Sequence, residues 1–211
     1  MTHLLILFFA TYSAAFMATV PPGLLNMNAA KTSVEKGKLN GIIFSLGVSS
    51  TIIAQAYLSV LISKFLYNNP EVIDGLLKAA LAVFGFFTLY FFVKARSNKV
   101  KSPEEITKSK KNSFFKGILL ASLNFLTIPY YAGIHAMWNK TGWIQFKQED
   151  ILVFVFAAGA GTFSVLYLYT FYFNKLETKS NRFSKNSNYI ISLLMLILLV
   201  ITLIRILYRE P

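Results

Sequence analysis

The chain has no cysteine, only two histidines, and nine acidic residues against 21 basic ones. Without cysteine there is no disulfide, no thiolate metal ligand and no thiol relay, and nothing from which to read a redox compartment. His3 and His135 are far apart in sequence, and no acid lies in the middle of an apolar stretch. The clustered ligands of a zinc site are therefore missing, which speaks against a metal exporter. No Ser-His or paired-Asp arrangement falls within the apolar stretches, so nothing there would activate a nucleophile for an intramembrane hydrolase. No glycine-rich loop ends in Lys-Ser or Lys-Thr, which removes an ATPase of the chain's own. The expectation is a protein that is not an enzyme and carries no cofactor. Charge is itself scarce, at 14% of residues.

What the chain has instead is hydrocarbon. Hydrophobic residues make up 55% of the sequence, with 20 Phe and 11 Tyr. Six apolar stretches, at roughly 4 to 25, 39 to 63, 75 to 93, 117 to 138, 151 to 174 and 187 to 207, each approach the ~20 residues that cross a bilayer core. Only Lys78 and Arg205 fall inside them, both near ends where a long side chain can snorkel. The first stretch has no basic flank before it and no small-residue cleavage site after it, so it is expected to be retained as a helix. The fold class expected is an all-α polytopic membrane protein with six transmembrane helices in a single transmembrane domain over 1–211. Its partners are the lipid bilayer and a small-molecule substrate, with room for a homo-oligomer. Nucleic acid is not expected, because the net charge of +12 comes from Lys and Arg in short loops.

Those loops give the orientation. Fifteen Lys and Arg follow the first, third and fifth stretches, and five lie on the opposite side. The positive-inside rule then puts both termini outside. The one long polar segment, the basic loop 94–116, separates a first half (1–93) from a second half (117–211). Three spans per half makes the halves antiparallel, the arrangement of a 3+3 inverted repeat with a site near the midplane between broken helices.

Breaks are visible in matching positions. Pro21-Pro22-Gly23 interrupts the first stretch, since proline removes an N–H and clashes with the carbonyl one turn back. The matching fourth stretch holds Asn124 and Pro129. Interrupted backbone inside a membrane survives where it faces protein or a polar cavity. If a half-helix resumes after Gly23, its free N–H groups would suit a carboxylate, phosphate or carbonyl. The substrate-binding candidates are thus Pro21, Pro22, Gly23 and Asn26 at the first break, and Asn124, Thr127, Pro129 and Tyr130 at the second. Thr51 and Gln55, one turn apart in the second stretch, are candidates for the cavity wall. Gly37, Gly41, Gly47, Gly159 and Gly161 are expected to let helices approach closely. Glu71, Asp74, Glu149 and Asp150 all lie at or beyond stretch ends, so a proton carrier would have to come from His135, Asp74 or Asp150.

In these residues the sequence resembles the lysine exporter (LysE/RhtB) family of small six-span efflux proteins. Pro21, Pro22 and Gly23 match a Pro-Pro-Gly-Pro signature, with Leu24 in place of the last proline. Gly37, Gly41 and Gly47 match a glycine ladder in which Thr51 replaces a further glycine. Lys78 matches a lysine near the start of the third helix. Asn124 matches the asparagine of an Asn-Pro-Lys motif, in which Phe125 and Leu126 replace the proline and lysine. The resemblance implies export of amino acids or related metabolites by alternating access, with proton coupling. The rival expectation is a non-transporting membrane subunit or scaffold that docks a partner through the 94–116 loop.

Overall fold

The computed structural model describes residues 2–21, 23–96 and 113–207. Pro22, most of the basic 94–116 loop and the side chain of Asp74 lie outside the described residues. Those described form helices and no strand: α1 (Thr2–Thr19), α2 (Leu24–Lys36), α3 (Lys38–Asn68), α4 (Val72–Arg96), α5 (Ser113–Ser122), α6 (Thr127–Lys140) and α7 (Gln148–Leu207). Three are long and apolar enough to cross a bilayer, namely α1, α3 and the Gln148–Tyr172 part of α7. The pair α5 and α6 makes a fourth, bent by 66° at its break. The third and sixth expected stretches fall in α4, whose apolar part is Gly75–Tyr90, and in the last part of α7.

One expected loop is absent. Residues 175–186 were expected to separate the fifth and sixth spans, but the backbone stays helical across them as part of α7. Their Lys, Ser and Asn content reads as loop, yet no Gly or Pro occurs between Thr162 and Glu210 to end a helix.

The chain divides into two compact units, each built from both halves of the sequence: 1–67 with 109–177, and 68–108 with 178–211. In the second unit, Ser192 Oγ donates to Thr88 O at 3.1 Å, and Gly85 faces Leu199.

The first unit holds the core and both breaks. Leu7, Phe44, Val48, Ile52, Leu120, Phe154 and Leu166 are buried in one contiguous cluster. Phe9, Met17, Leu58, Phe65 and Phe156 are exposed, as lipid-facing side chains are. Pairings fix the helix directions. His3 meets Asp150, Tyr12 meets Ser164 and Tyr169 meets Val20, so α1 runs parallel to α7. Gln55 meets Ala121, Ser59 meets Ile128 and Ser63 meets His135, so α3 runs parallel to α5 and α6. Gly41 contacts Thr170 and Gly159 contacts Ser49, so α3 opposes α7.

The closest approach is between α3 and α5. A methyl group on Gly47 would fall on the carbonyl oxygen of Phe114, and one on Gly117 would fall on that of Phe44. Each helix thus presents a glycine to the other's carbonyl, a geometry that favours Cα–H···O contact. By contrast Gly37, which ends α2, has φ of +91° and open space around it. Its role is the left-handed turn into α3.

Candidate functional site

At the first break α1 ends at Thr19 and α2 starts at Leu24, with Pro21 and Gly23 exposed between them. Stopping α1 frees its last carbonyls, and side chains satisfy them. Asn26 Nδ2 donates to Thr19 O at 2.6 Å and to Pro21 O at 2.9 Å. Tyr169 Oη donates to Val20 O at 3.0 Å. Three consecutive carbonyls are therefore covered, and the amide hydrogens of Asn26 are committed to the backbone. Gly23 caps α2 with φ of −132°, a value open to any residue, and a methyl group there would meet only Pro21 O, at 3.9 Å. Gly23→Ala should accordingly change stability by no more than about 0.5 kcal/mol, checked by thermal denaturation in detergent. A large loss would show that the break needs glycine itself.

The second break occupies 123–126 and contains neither proline nor glycine. Its cause is Pro129, whose ring excludes the carbonyl of residue 125 from the helix, so α6 cannot be extended back into α5. Asn124 is half-buried, and its side-chain amide has no hydrogen-bond partner among the described residues. Thr127 is buried at the start of α6, while Pro129 is exposed. Tyr130 crosses to α1, where its hydroxyl donates to Ala14 O at 2.9 Å. Leu126 caps α6 without a side-chain hydrogen bond.

One face of α3 covers this gap. Thr51, Gln55, Ser59 and Ser63 recur every four residues and so form a single polar stripe. Thr51 Oγ1 turns back to Gly47 O at 3.1 Å. Gln55 Nε2 donates to Ala121 O at 3.2 Å, in the last turn of α5. Ser59 Oγ lies within hydrogen-bond reach of Gln55 O (2.7 Å) and of Ile128 O (2.9 Å), in the first turn of α6. Ser63 Oγ and His135 Nδ1 hydrogen-bond at 3.0 Å. Sequence reasoning singled out Thr51 and Gln55 and missed Ser59, Ser63 and Tyr169; the four-residue period was the available signal for the first two.

The structure brings Gln55, Thr127 and Tyr130 to the second break with Asn124. The first break lies elsewhere along α3. Tyr169, which holds Val20, adjoins Thr170, which packs on Gly41. Gly41 and Gln55 are fourteen residues apart on α3. At about 1.5 Å per residue, these two positions are about 21 Å apart along α3.

Two of the coupling candidates, His135 and Asp150, sit at the end of the unit that carries His3. His135 is fully buried between the rings of Phe146 and Phe154, at 5.1 and 5.4 Å. Asp150, in the first turn of α7, is the one buried acid among the described residues. It accepts from Gln145 N at 2.8 Å and faces His3 Nε2 at 3.4 Å. Nearby, a cavity of about 210 Å³ is lined by His3, Ile6, Leu7, Gly142 and Trp143. No cluster of His, Cys, Asp or Glu suited to a metal occurs among the described residues.

Comparison with curated proteins gives no match, and comparison with solved structures gives none. A family model does match, the LysE type translocator, over residues 16–205. That interval contains both breaks, the polar stripe of α3 and the Gly47–Gly117 contact. The chain belongs to the LysE type translocator family of integral membrane transporters.

Proposed function

We propose that this protein exports amino acids or similar small zwitterionic metabolites across the bacterial cytoplasmic membrane by alternating access. Both termini face outward in this reading, and the six apolar stretches form a 3+3 inverted repeat, which requires the last stretch to turn back from α7 at 175–186. The solute binds at the second break, with Asn124, Gln55, Thr127 and Tyr130 as its contacts. Thr51 stands one turn away on α3, and Pro129 holds the gap open by terminating α6. Pro21, Pro22, Gly23 and Asn26 shape the first break, which lines the solute's path on this reading. His135, Asp150 and Asp74 are the groups to test for ion coupling.

The observation that carries this reading is the 66° bend between α5 and α6, bridged by Gln55 and Ser59 from α3. Membrane backbone is interrupted at a cost, and interrupted spans in transporters are where solutes bind.

The test is export itself. Wild type and Asn124→Leu are expressed at matched membrane levels in bacteria fed mixed dipeptides, and the medium is profiled by mass spectrometry. Wild type should enrich one or more amino acids in the medium, and the variant should lose at least about tenfold of that enrichment. Equal media from wild type, variant and vector, with both proteins inserted, would sink the proposal.

A further inference from the structure

Where α2 ends and α5 begins, one side chain clips three helices together. Asn40, in the first turn of α3, donates from Nδ2 to Lys36 O at 2.7 Å and accepts at Oδ1 from Ser113 Oγ at 3.2 Å. A single amide thus ties the last turn of α2 to the first residue of α5. Lys36 and Lys116 are carried to the two sides of that clip, because Lys116 stands about one turn along α5 from Ser113.

Positive charge accumulates at this junction. Lys116 is half-buried, and the charges that act on it are those of Lys36, Glu35 and Lys31. Glu35 is already engaged by Lys31 at 3.7 Å. Among the described residues, three ammonium groups therefore share one carboxylate, beside the positive end of the α5 dipole. In sequence, Lys110 and Lys111 come just before α5 and add to the same sign. Lys38 is turned to α7 instead, over the ring of Phe171 at 4.9 Å. Like charges held this close repel, and a bound anion relieves them.

The surface next to the lysines decides what kind of anion fits. Phe115 and Leu119, one turn apart on α5, are 62% and 54% exposed, and Val34 on α2 is 66% exposed. A free inorganic ion gains nothing from such a surface, whereas an acyl chain does. In the orientation proposed above, this end of the unit is cytoplasmic, where anionic lipid attracts lysines.

We propose that the junction of α2, α3 and α5 binds an anionic phospholipid. Lys36 and Lys116 hold the headgroup phosphate, Lys31 stands at its rim, and the acyl chains run along Phe115 and Leu119. Occupancy does not depend on which solute is carried. A phosphate shared by Lys36 and Lys116 cross-links α2 to α5, so binding raises the resistance of the protein to heat.

Full-length protein in neutral detergent is titrated with dioleoyl phosphatidylglycerol, dioleoyl phosphatidylcholine or sodium phosphate, and the fraction surviving a heat step is read. Phosphatidylglycerol should stabilise wild type at a half-saturating concentration about tenfold or more below that of phosphatidylcholine. Lys36→Gln with Lys116→Gln should abolish that difference, and Lys36→Arg with Lys116→Arg should keep it. Lys140→Gln with Lys147→Gln removes the same charge elsewhere and should also keep it. Lys36→Gln alone changes an exposed side chain and should weaken phosphatidylglycerol about fivefold. Equal responses of wild type to the two lipids overturn the site, as does loss of the difference in the 140 and 147 variant. An unchanged response in Lys36→Gln overturns the role of Lys36. Stabilisation by sodium phosphate equal to that by phosphatidylglycerol overturns the lipid as the occupant.

Discussion

Gly47→Ala should destabilise the protein by roughly 3 kcal/mol or more, the upper end of the ~1–3 kcal/mol typical of overpacking. The added methyl falls on a backbone carbonyl, that of Phe114, which cannot rotate aside as a side chain would. Relief requires moving α3 away from α5. The other side of α3 is occupied, since Gly159 of α7 already packs against Ser49 and Ile53. Gly117→Ala should behave alike, because its methyl meets Phe44 O and lies 3.0 Å from Val48 N. Gly133→Ala is the control. Gly133 lies inside α6 with nothing within 4 Å of the added carbon, so alanine there should be neutral or stabilising by up to about 1 kcal/mol. The measurement is the fraction of detergent-solubilised protein that stays monodisperse after a series of heat steps. Equal curves for the 47 and 133 variants would mean that the helices separate at little cost.

The second large effect is expected at Asn26. Asn26→Leu keeps a similar volume and removes both donors to Thr19 O and Pro21 O. The two acceptors are only partly buried, so losing their bonds at about 0.5–1.5 kcal/mol each predicts a loss of roughly 1–3 kcal/mol. Tyr169→Phe removes only the bond to Val20 O and should lose about half as much. Interhelical hydrogen bonds in bilayers average nearer ~0.6 kcal/mol, which sets the low end for the tyrosine. The ratio between the variants is the sharper test, because both share the same apolar surroundings. A tyrosine variant that loses more than the asparagine variant would show that Asn26 is not the main staple.

Much of the first break was legible because its cause and its location coincide. Pro21 stops the helix where it stands. At the second break they do not coincide. Pro129 acts one turn upstream, so the gap falls at 123–126, in residues that look helical on their own. Continuity of α7 was hidden for the opposite reason: polar composition at 175–186 suggested a loop, while nothing in the segment forbids helix. The packing role of Gly41, Gly47, Gly159 and Gly161 was readable from small residues in apolar spans. Gly117 was overlooked, although Phe44-Ser-Leu-Gly47 and Phe114-Phe-Lys-Gly117 share one pattern that places a carbonyl and a glycine on the same helix face. Hydrogen bonding of Asn26 back to α1 depends on the angle at which α2 leaves the break, and no sequence pattern encodes that angle.

The Gly47–Gly117 contact has a mechanical consequence for the bent span. Backbone locked against backbone makes α5 and α3 one stiff beam, whereas α6 is tied to its neighbours by the tips of Ser59, Ser63 and Tyr130. A joint with a weld on one arm and hooks on the other yields on the hooked arm. Hydrogen–deuterium exchange should therefore spread into 127–140 before it enters 113–122, and the residues between are the pivot.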